Sequence, residues 1–150
     1  MARYIEIRVR SAISRSGLPD LDYSLNPYIG CLHGCLYCYA RSYTKLREVS
    51  ERWGEVVCVK TNLLELLERE TRRLRPGVVG LSTITDPYQP IESTRGLTRG
   101  SIELLLRRGY RVSIQTKSPL VLRDLDILSR ERGSVDVGFT IITLDASLAS

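Results

Sequence analysis

Apolar residues recur along this chain in two patterns, one typical of strands and the other of helices. Alternating apolar and polar residues from Tyr4 to Val9 predict a first strand. Short apolar runs bounded by turn-forming residues predict further strands over residues 22–26, 56–59, 77–84, 110–115 and 135–143. Apolar residues at helical spacing, with cap and stop residues, predict helices between them over about residues 40–52, 63–75, 98–108 and 119–132.

The predicted strands and helices alternate with short connections. This order is typical of an α/β fold with parallel strands and right-handed crossovers. Residues 1–21 are predicted to be an N-terminal strand and loop extension, and residues 22–150 the core, with five strands between Asp22 and Thr143. Because no helix follows the fifth strand and a long exposed strand edge favours aggregation, we expect the chain to be a fragment of a longer protein.

Composition and charge narrow the possible functions only moderately. The chain has 150 residues, of which 43% are apolar and 26% are charged, as is usual in globular proteins. No apolar run reaches about 18 residues and the N-terminus lacks the apolar region of a signal peptide, so we expect a cytoplasmic protein without a membrane span. The net charge of +5 permits nucleic-acid binding without arguing for it.

The candidate chemistry lies in a cysteine-rich loop. Cys31, Cys35 and Cys38 follow the spacing C-x3-C-x2-C. Thiolates this close together can bind one inorganic centre, and thiolate is the ligand that iron–sulfur clusters and zinc prefer. Three ligands leave one position open, as catalytic metal centres do. The remaining cysteine, Cys58, lies in the middle of a predicted strand and is expected to be packed in the core.

Two other interpretations of the cysteine loop remain. Zinc could be bound by the three cysteines and His33, the only histidine, although structural zinc sites usually draw on two separated ligand pairs. Disulfides would require an oxidising compartment, for which the sequence gives no sign.

The cysteine spacing, with Tyr37 just before the last cysteine, resembles the signature of the radical S-adenosyl-L-methionine (SAM) enzymes. The flanking residues 26–30 (NPYIG) and 39–41 (YAR) resemble the spore photoproduct lyase-like branch of that superfamily. The resemblance implies a partial (βα)6 barrel, an incomplete TIM barrel, here truncated after the fifth strand. It also implies a [4Fe-4S] cluster on the three cysteines, SAM on the fourth iron, and an electron donor such as a flavodoxin or ferredoxin.

Polar residues follow the predicted strands, where ligands bind in parallel βα folds. They include Asn62 and Asp86, for which turn or cap chemistry is an equally good interpretation, and Lys60, for which a solvated strand end is the better interpretation. Certain residues contact SAM in the lyase-like branch. The matching positions of this chain carry hydroxyl side chains and one lysine. The resemblance therefore implies SAM contacts at Tyr37, Thr85, Lys117 and Thr140.

The sequence thus favours a radical SAM enzyme whose substrate is unknown. A DNA photolesion lyase using the same chemistry is the first alternative. In those lyases, a cysteine gives a hydrogen atom to the product radical, and Thr83 stands at the matching position of this chain. A threonine O–H bond is too strong to replace a thiol in that step, which opposes this alternative. The second alternative is a non-catalytic metal-binding or electron-transfer module.

Overall fold

A computed structural model describes residues 1–145 and 147–148 of the chain. Its strands form two sheets, and its helices are short except for two. The strands are β1 (Arg3–Ile7), β2 (Ile13–Arg15), β3 (Tyr23–Leu25), β4 (Tyr28–Ile29), β5 (Val56–Lys60), β6 (Val78–Leu81), β7 (Arg111–Thr116) and β8 (Val135–Phe139). The α-helices are α1 (Ala40–Tyr43), α2 (Arg47–Glu51), α3 (Leu63–Thr71), α4 (Glu92–Arg95), α5 (Leu97–Arg107) and α6 (Leu125–Arg130). A 3₁₀ helix, Pro119–Asp124, precedes α6. None of these helices combines the length and the apolar character needed to cross a membrane.

The larger sheet has the order β2-β3-β6-β7-β8. Strand β2 is antiparallel to β3, whereas β3, β6, β7 and β8 are parallel to one another. One face carries buried apolar side chains, among them Val79, Val112 and Ile114, and α5 packs against β7. The predicted α/β class is therefore confirmed.

The opposite face of this sheet carries small and polar residues. Ser24, Gly80 and Ser113 lie side by side in the register of β3, β6 and β7. Gln115 lies opposite Gly138 in the pairing of β7 with β8. Side chains of a strand alternate between faces, so these residues share the face that is not filled by the apolar core. That face leaves space for cavities beside the cysteine loop.

The smaller sheet has the order β1-β5-β4 and contains the second strand of the predicted core. Strand β5 pairs in parallel with β1, from Arg3 opposite Val56 to Ile7 opposite Lys60. Its other edge pairs with β4, so both edges are filled within this sheet and β5 does not join the larger one. A single sheet that includes all five predicted core strands is therefore absent from the described residues.

The carboxyl end of β5 bonds to Pro27 and to the N-terminal extension. The Lys60 amide donates to the Pro27 carbonyl at 3.3 Å. The Asn62 side chain accepts from the Val9 amide and donates to the Val9 carbonyl, both at 2.9 Å, and makes no cap hydrogen bond to α3. Asn62 thus fixes the N-terminal extension. It stands at the N-cap position of α3, as predicted, but its side chain makes no cap hydrogen bond.

Several predicted element boundaries differ from the structure, and β6 and α3 end earlier than predicted, at Leu81 and Thr71. The predicted helix over 40–52 is divided, because Thr44 has extended backbone angles and its hydroxyl donates back to the Ala40 carbonyl at 2.8 Å. The helix after Ser118 begins as a 3₁₀ turn, although Ser118 does accept the predicted cap hydrogen bond, from the Leu120 amide. The last strand ends at Phe139 rather than at residue 143.

A buried ion network connects β4, just before the cysteine loop, to the helices. Glu92 is fully buried and accepts hydrogen bonds from the Tyr28 hydroxyl, the Thr98 amide at 2.9 Å and Arg123 Nη2 at 2.9 Å. Arg123 also pairs with the buried Asp124. Buried charges are stable only when paired and hydrogen-bonded, so this network fixes where the cysteine loop begins.

Candidate metal and cofactor site

The cysteine loop begins at a position that only glycine can occupy. Gly30 has a φ of +89°, and a Cβ built there would lie 2.6 Å from both Val49 Cγ1 and the Val56 carbonyl oxygen. Both the backbone conformation and the close approach exclude a side chain. The loop therefore enters the site pressed against α2 and the start of β5.

A buried glutamine that the sequence analysis missed holds this loop in place. Gln89 is fully buried; its Nε2 donates to the Gly30 carbonyl at 3.2 Å, and its Oε1 accepts from the Leu32 amide at 3.1 Å. The Thr85 hydroxyl donates to the same Gly30 carbonyl at 2.6 Å. Thr85 thus has a structural partner in addition to its implied role in SAM binding. The available sequence signal was a glutamine between Tyr88 and Pro90 in the polar segment that follows the third predicted core strand.

Most of the implied site residues surround one cavity of about 160 Å³. It lies between the cysteine loop and the carboxyl ends of β6 and β7. Its lining includes six of the seven residues to which the sequence assigned a metal or SAM: Cys31, Cys35, Cys38, Thr85, Lys117 and Thr140. The Thr140 amide donates to the Thr116 carbonyl at 3.0 Å, which continues the pairing of β7 and β8 up to the cavity.

Lys117 connects the cavity to the cysteine loop. Its Nζ lies 3.0 Å from Cys35 Sγ and 3.1 Å from the Tyr37 hydroxyl oxygen, and 5.3 Å from the centre of the Tyr37 ring. The contact with the Cys35 sulfur raises the pKa of Lys117, with a further contribution from Tyr37. The lysine is therefore charged and places a cation directly beside the Cys35 sulfur. Tyr37 does not line the cavity itself but reaches it through this lysine.

Asp86 fixes the backbone of Lys117 through a hydrogen bond. Its carboxylate is buried and accepts from the Thr116 hydroxyl at 2.7 Å and from the Lys117 amide at 3.1 Å. His33 Nε2 lies 3.4 Å from Asp86 Oδ2. Burial alone would raise the pKa of Asp86, but the contacts from His33, Thr116 and the Lys117 amide outweigh it and lower the pKa. Asp86 is thus an ionised anchor that joins the end of β7 to the cysteine loop, and it also accepts the turn hydrogen bond of Tyr88.

The three cysteines of the loop share one cavity, but the described residues do not bring them together as an assembled metal site. All four cysteines are free thiols, and three of them face one cavity beside a lysine. Burial raises the pKa of Cys31 to about 11, so metal binding there has to displace a proton. Among the residues described, no three histidine, cysteine, aspartate or glutamate side chains stand close enough to ligate one metal ion. His33 Nε2 is directed toward Asp86 and not toward a sulfur.

Comparison with known proteins gives relatives without an assigned function. No protein-family model matches the chain. An uncharacterised protein of Methanocaldococcus jannaschii is 37% identical over 144 residues, which are 96% of this chain and 53% of that protein. An uncharacterised protein of Mycobacterium tuberculosis is 36% identical over 145 residues, covering 91% and 42%. One from the Acidianus two-tailed virus is 32% identical over 136 residues, covering 85% and 44%. The chain thus spans about half the length of the curated relatives it matches.

A solved structure gives a similar fold. It is a mutant spore photoproduct lyase with dinucleoside spore photoproduct, and the lyase is a radical SAM enzyme. The match has a TM-score of 0.66 at 20% sequence identity and covers 91% of this chain but 38% of the lyase. At this identity the likeness shows the fold alone: the chain has an α/β fold similar to part of that enzyme.

Proposed function

We propose that this chain is the cluster-binding and SAM-binding part of a radical SAM enzyme. The observation that carries the proposal is the position of Lys117, whose ammonium group lies 3.0 Å from the Cys35 sulfur in a cavity shared with Cys31 and Cys38. In this proposal the parallel strands β3, β6, β7 and β8 form one wall of a partial barrel. The three cysteines bind a [4Fe-4S] cluster, and SAM occupies the adjoining cavity.

When bound, the reduced cluster and SAM together supply a 5′-deoxyadenosyl radical, which abstracts a hydrogen atom from a substrate. The reducing electron comes from a donor such as a flavodoxin or ferredoxin. The chain's own residues bind and orient these groups and exclude water from them.

Each site residue has a role in this proposal. Lys117 pairs with the carboxylate of SAM, since a charged donor at the edge of the cavity is the natural partner of a carboxylate. Tyr37 lies beside that lysine and offers its ring and hydroxyl to the bound cofactor. Thr140 offers a hydroxyl from the end of β8, and Thr85 from the loop after β6. Asp86 does not contact the cofactor but fixes the backbone from which Lys117 extends.

A DNA photolesion lyase is the second candidate, and the likeness in fold to a spore photoproduct lyase favours it. Thr83 opposes it. This residue lines the cavity and presents a hydroxyl where the lyases have a hydrogen-donating thiol. A threonine O–H bond is too strong to take over that step, so we propose a substrate other than the DNA photolesion.

Metal analysis tests the proposal against a zinc-binding or non-catalytic module. After anaerobic reconstitution, we expect about four irons per chain, as four-iron clusters on cysteine ligands contain. Cys31→Ala, Cys35→Ala and Cys38→Ala should each abolish iron binding. Cys58→Ala is the matched control, because Cys58 is buried between Val49 and Val56, away from the cavity. Stoichiometric zinc without iron in protein purified without air would refute the proposal.

A further inference from the structure

A second cavity of about 160 Å³ adjoins the first on the open face of the larger sheet. Tyr39, Ser82, Thr83 and Gln115 line both cavities, so the two spaces share a wall. The sequence analysis assigned no role to Ser82 or Gln115. Whatever occupies the second cavity therefore lies directly beside whatever occupies the first.

Ser82 has two features that its packing does not explain. It is 5% exposed, yet its buried hydroxyl has no hydrogen-bond partner in the part of the chain that the structure describes. Its φ is +66°, a conformation unusual for a residue other than glycine, asparagine or aspartate. The Ser82 amide donates to the Leu25 carbonyl at 2.7 Å, which holds the residue in place. Unpaired buried polar groups and strained backbone both cost free energy and are concentrated at ligand sites.

Gln115 and Ser113 add polar groups to the wall of this cavity. Both extend from β7 on the open face, Gln115 exposed and Ser113 half-buried, and neither side chain makes a hydrogen bond to any residue described here, so both are free to bond to water or to a ligand. A Cβ built at Gly138 would lie 2.5 Å from Gln115 Nε2. The glycine of β8 thus leaves the space that the glutamine amide occupies. A hydroxyl from β7, one from the loop after β6 and a carboxamide are available to one ligand.

The remaining walls of the second cavity are apolar or aromatic. Leu18 and Leu21 come from the loop between β2 and β3, and Tyr39 from the end of the cysteine loop. A Cβ at Gly80 would lie 2.5 Å from Leu21 Cδ1, so glycine at this position lets the leucine pack on the sheet. No described residue with a charged side chain lines this cavity. Burying a charged ligand here would leave it without a counter-ion.

We propose that the second cavity binds an uncharged, hydrogen-bonding group of the substrate, of the carboxamide type, through Ser82 and Gln115. A carboxamide offers both a donor and an acceptor, as the glutamine side chain does. The flat apolar part of a ligand that carries it would pack against the leucine and tyrosine walls. That the ligand is the substrate rests on the function proposed above. That the cavity binds a neutral amide depends only on its own lining.

The test uses two probes of equal shape and different charge, nicotinamide and nicotinate. Binding of each is titrated by ligand-observed NMR on the chain without cluster or SAM, so that failure of the radical chemistry does not affect the result. We expect saturable binding of nicotinamide, and binding of nicotinate at least about tenfold weaker because its carboxylate is desolvated without a partner. Ser82→Ala and Gln115→Leu should each weaken nicotinamide binding about three- to tenfold through a lost hydrogen bond.

Two further variants make the test selective. Gly138→Ala removes no polar group but displaces the Gln115 amide, so it should weaken nicotinamide binding as Gln115→Leu does. Ser14→Ala, on the exposed face of β2, is the control and should bind nicotinamide like the parent chain. No saturable nicotinamide binding, equal affinity for nicotinate, or unchanged affinity in both Ser82→Ala and Gln115→Leu would overturn the proposal. If the chain binds nicotinamide but fails to cleave SAM, the amide-binding proposal for this cavity is supported and only the radical function is refuted.

Discussion

Lys117 Nζ and Cys35 Sγ lie 3.0 Å apart although 82 positions separate the two residues in the chain. The cysteine comes from the loop after β4 and the lysine from the end of β7, and Asp86 connects these segments through His33 and the Lys117 amide. Three sequence-distant segments therefore meet around one cavity.

Lys117→Ala should weaken SAM binding to the reconstituted protein. Removing the charged partner of the SAM carboxylate should cost about 1.5–3 kcal/mol, the value of a charge-assisted hydrogen bond. Isothermal titration calorimetry measures the change. Lys45→Ala removes a charge of the same kind from an exposed position and is the control. Equal affinities of the parent chain and Lys117→Ala would exclude Lys117 as a SAM ligand.

Gln89→Leu should both destabilise the chain and loosen the cysteine loop. The substitution keeps the volume approximately but leaves the Gly30 carbonyl and the Leu32 amide without their buried partner. We expect a loss of about 1–3 kcal/mol in the free energy of unfolding, measured by urea denaturation. Gln89→Glu retains an acceptor for Leu32 and should retain more iron after reconstitution than Gln89→Leu. A leucine variant as stable as the parent would show that this clamp contributes nothing.

Arg123→Met should be strongly destabilising because it leaves the fully buried Glu92 without its cation. Breaking a buried pair by removing one partner typically costs about 3–5 kcal/mol. Arg47→Met breaks the exposed pair with Glu51 and should cost at most about 0.5 kcal/mol. Urea denaturation of the two variants gives the comparison directly. Similar losses in both variants would contradict the structural role assigned to the buried network.

Asp124 should make the chain sensitive to acid. Burial alone would raise its pKa, but hydrogen bonds from Arg123 and Arg99 outweigh this and lower it. An aspartate whose pKa is lowered in the folded state stabilises the fold at any pH above its pKa in the unfolded chain, which is about 3.9. That stabilisation is lost as the pH falls toward the lower pKa of the folded state. Unfolding free energies measured between pH 7 and 3 should therefore fall below about pH 4, and Asp124→Asn should reduce the slope. An unchanged slope in that variant would assign the acid sensitivity to other carboxylates.

The sequence predicted local structure, and which residues share one cavity, better than it predicted strand pairing. The spacing of the cysteines, and the hydroxyl and lysine positions after the strands, required only local patterns and a resemblance. The placement of β5 depended on β1 and β4, which fill both of its edges and keep it out of the larger sheet. Such nonlocal pairing leaves no periodic signal in β5 itself. Ser82 and Gln89 were missed for a related reason, since their importance lies in partners, or missing partners, that appear only in the folded chain.

The most direct test of the central claim is the formation of 5′-deoxyadenosine. The anaerobically reconstituted protein is given SAM and dithionite without any substrate, and the products are separated by chromatography. We predict slow formation of 5′-deoxyadenosine with methionine in the parent chain and in Cys58→Ala, and none in Cys35→Ala. Absence of 5′-deoxyadenosine from protein that carries a full cluster and bound SAM would contradict the radical mechanism proposed for this chain.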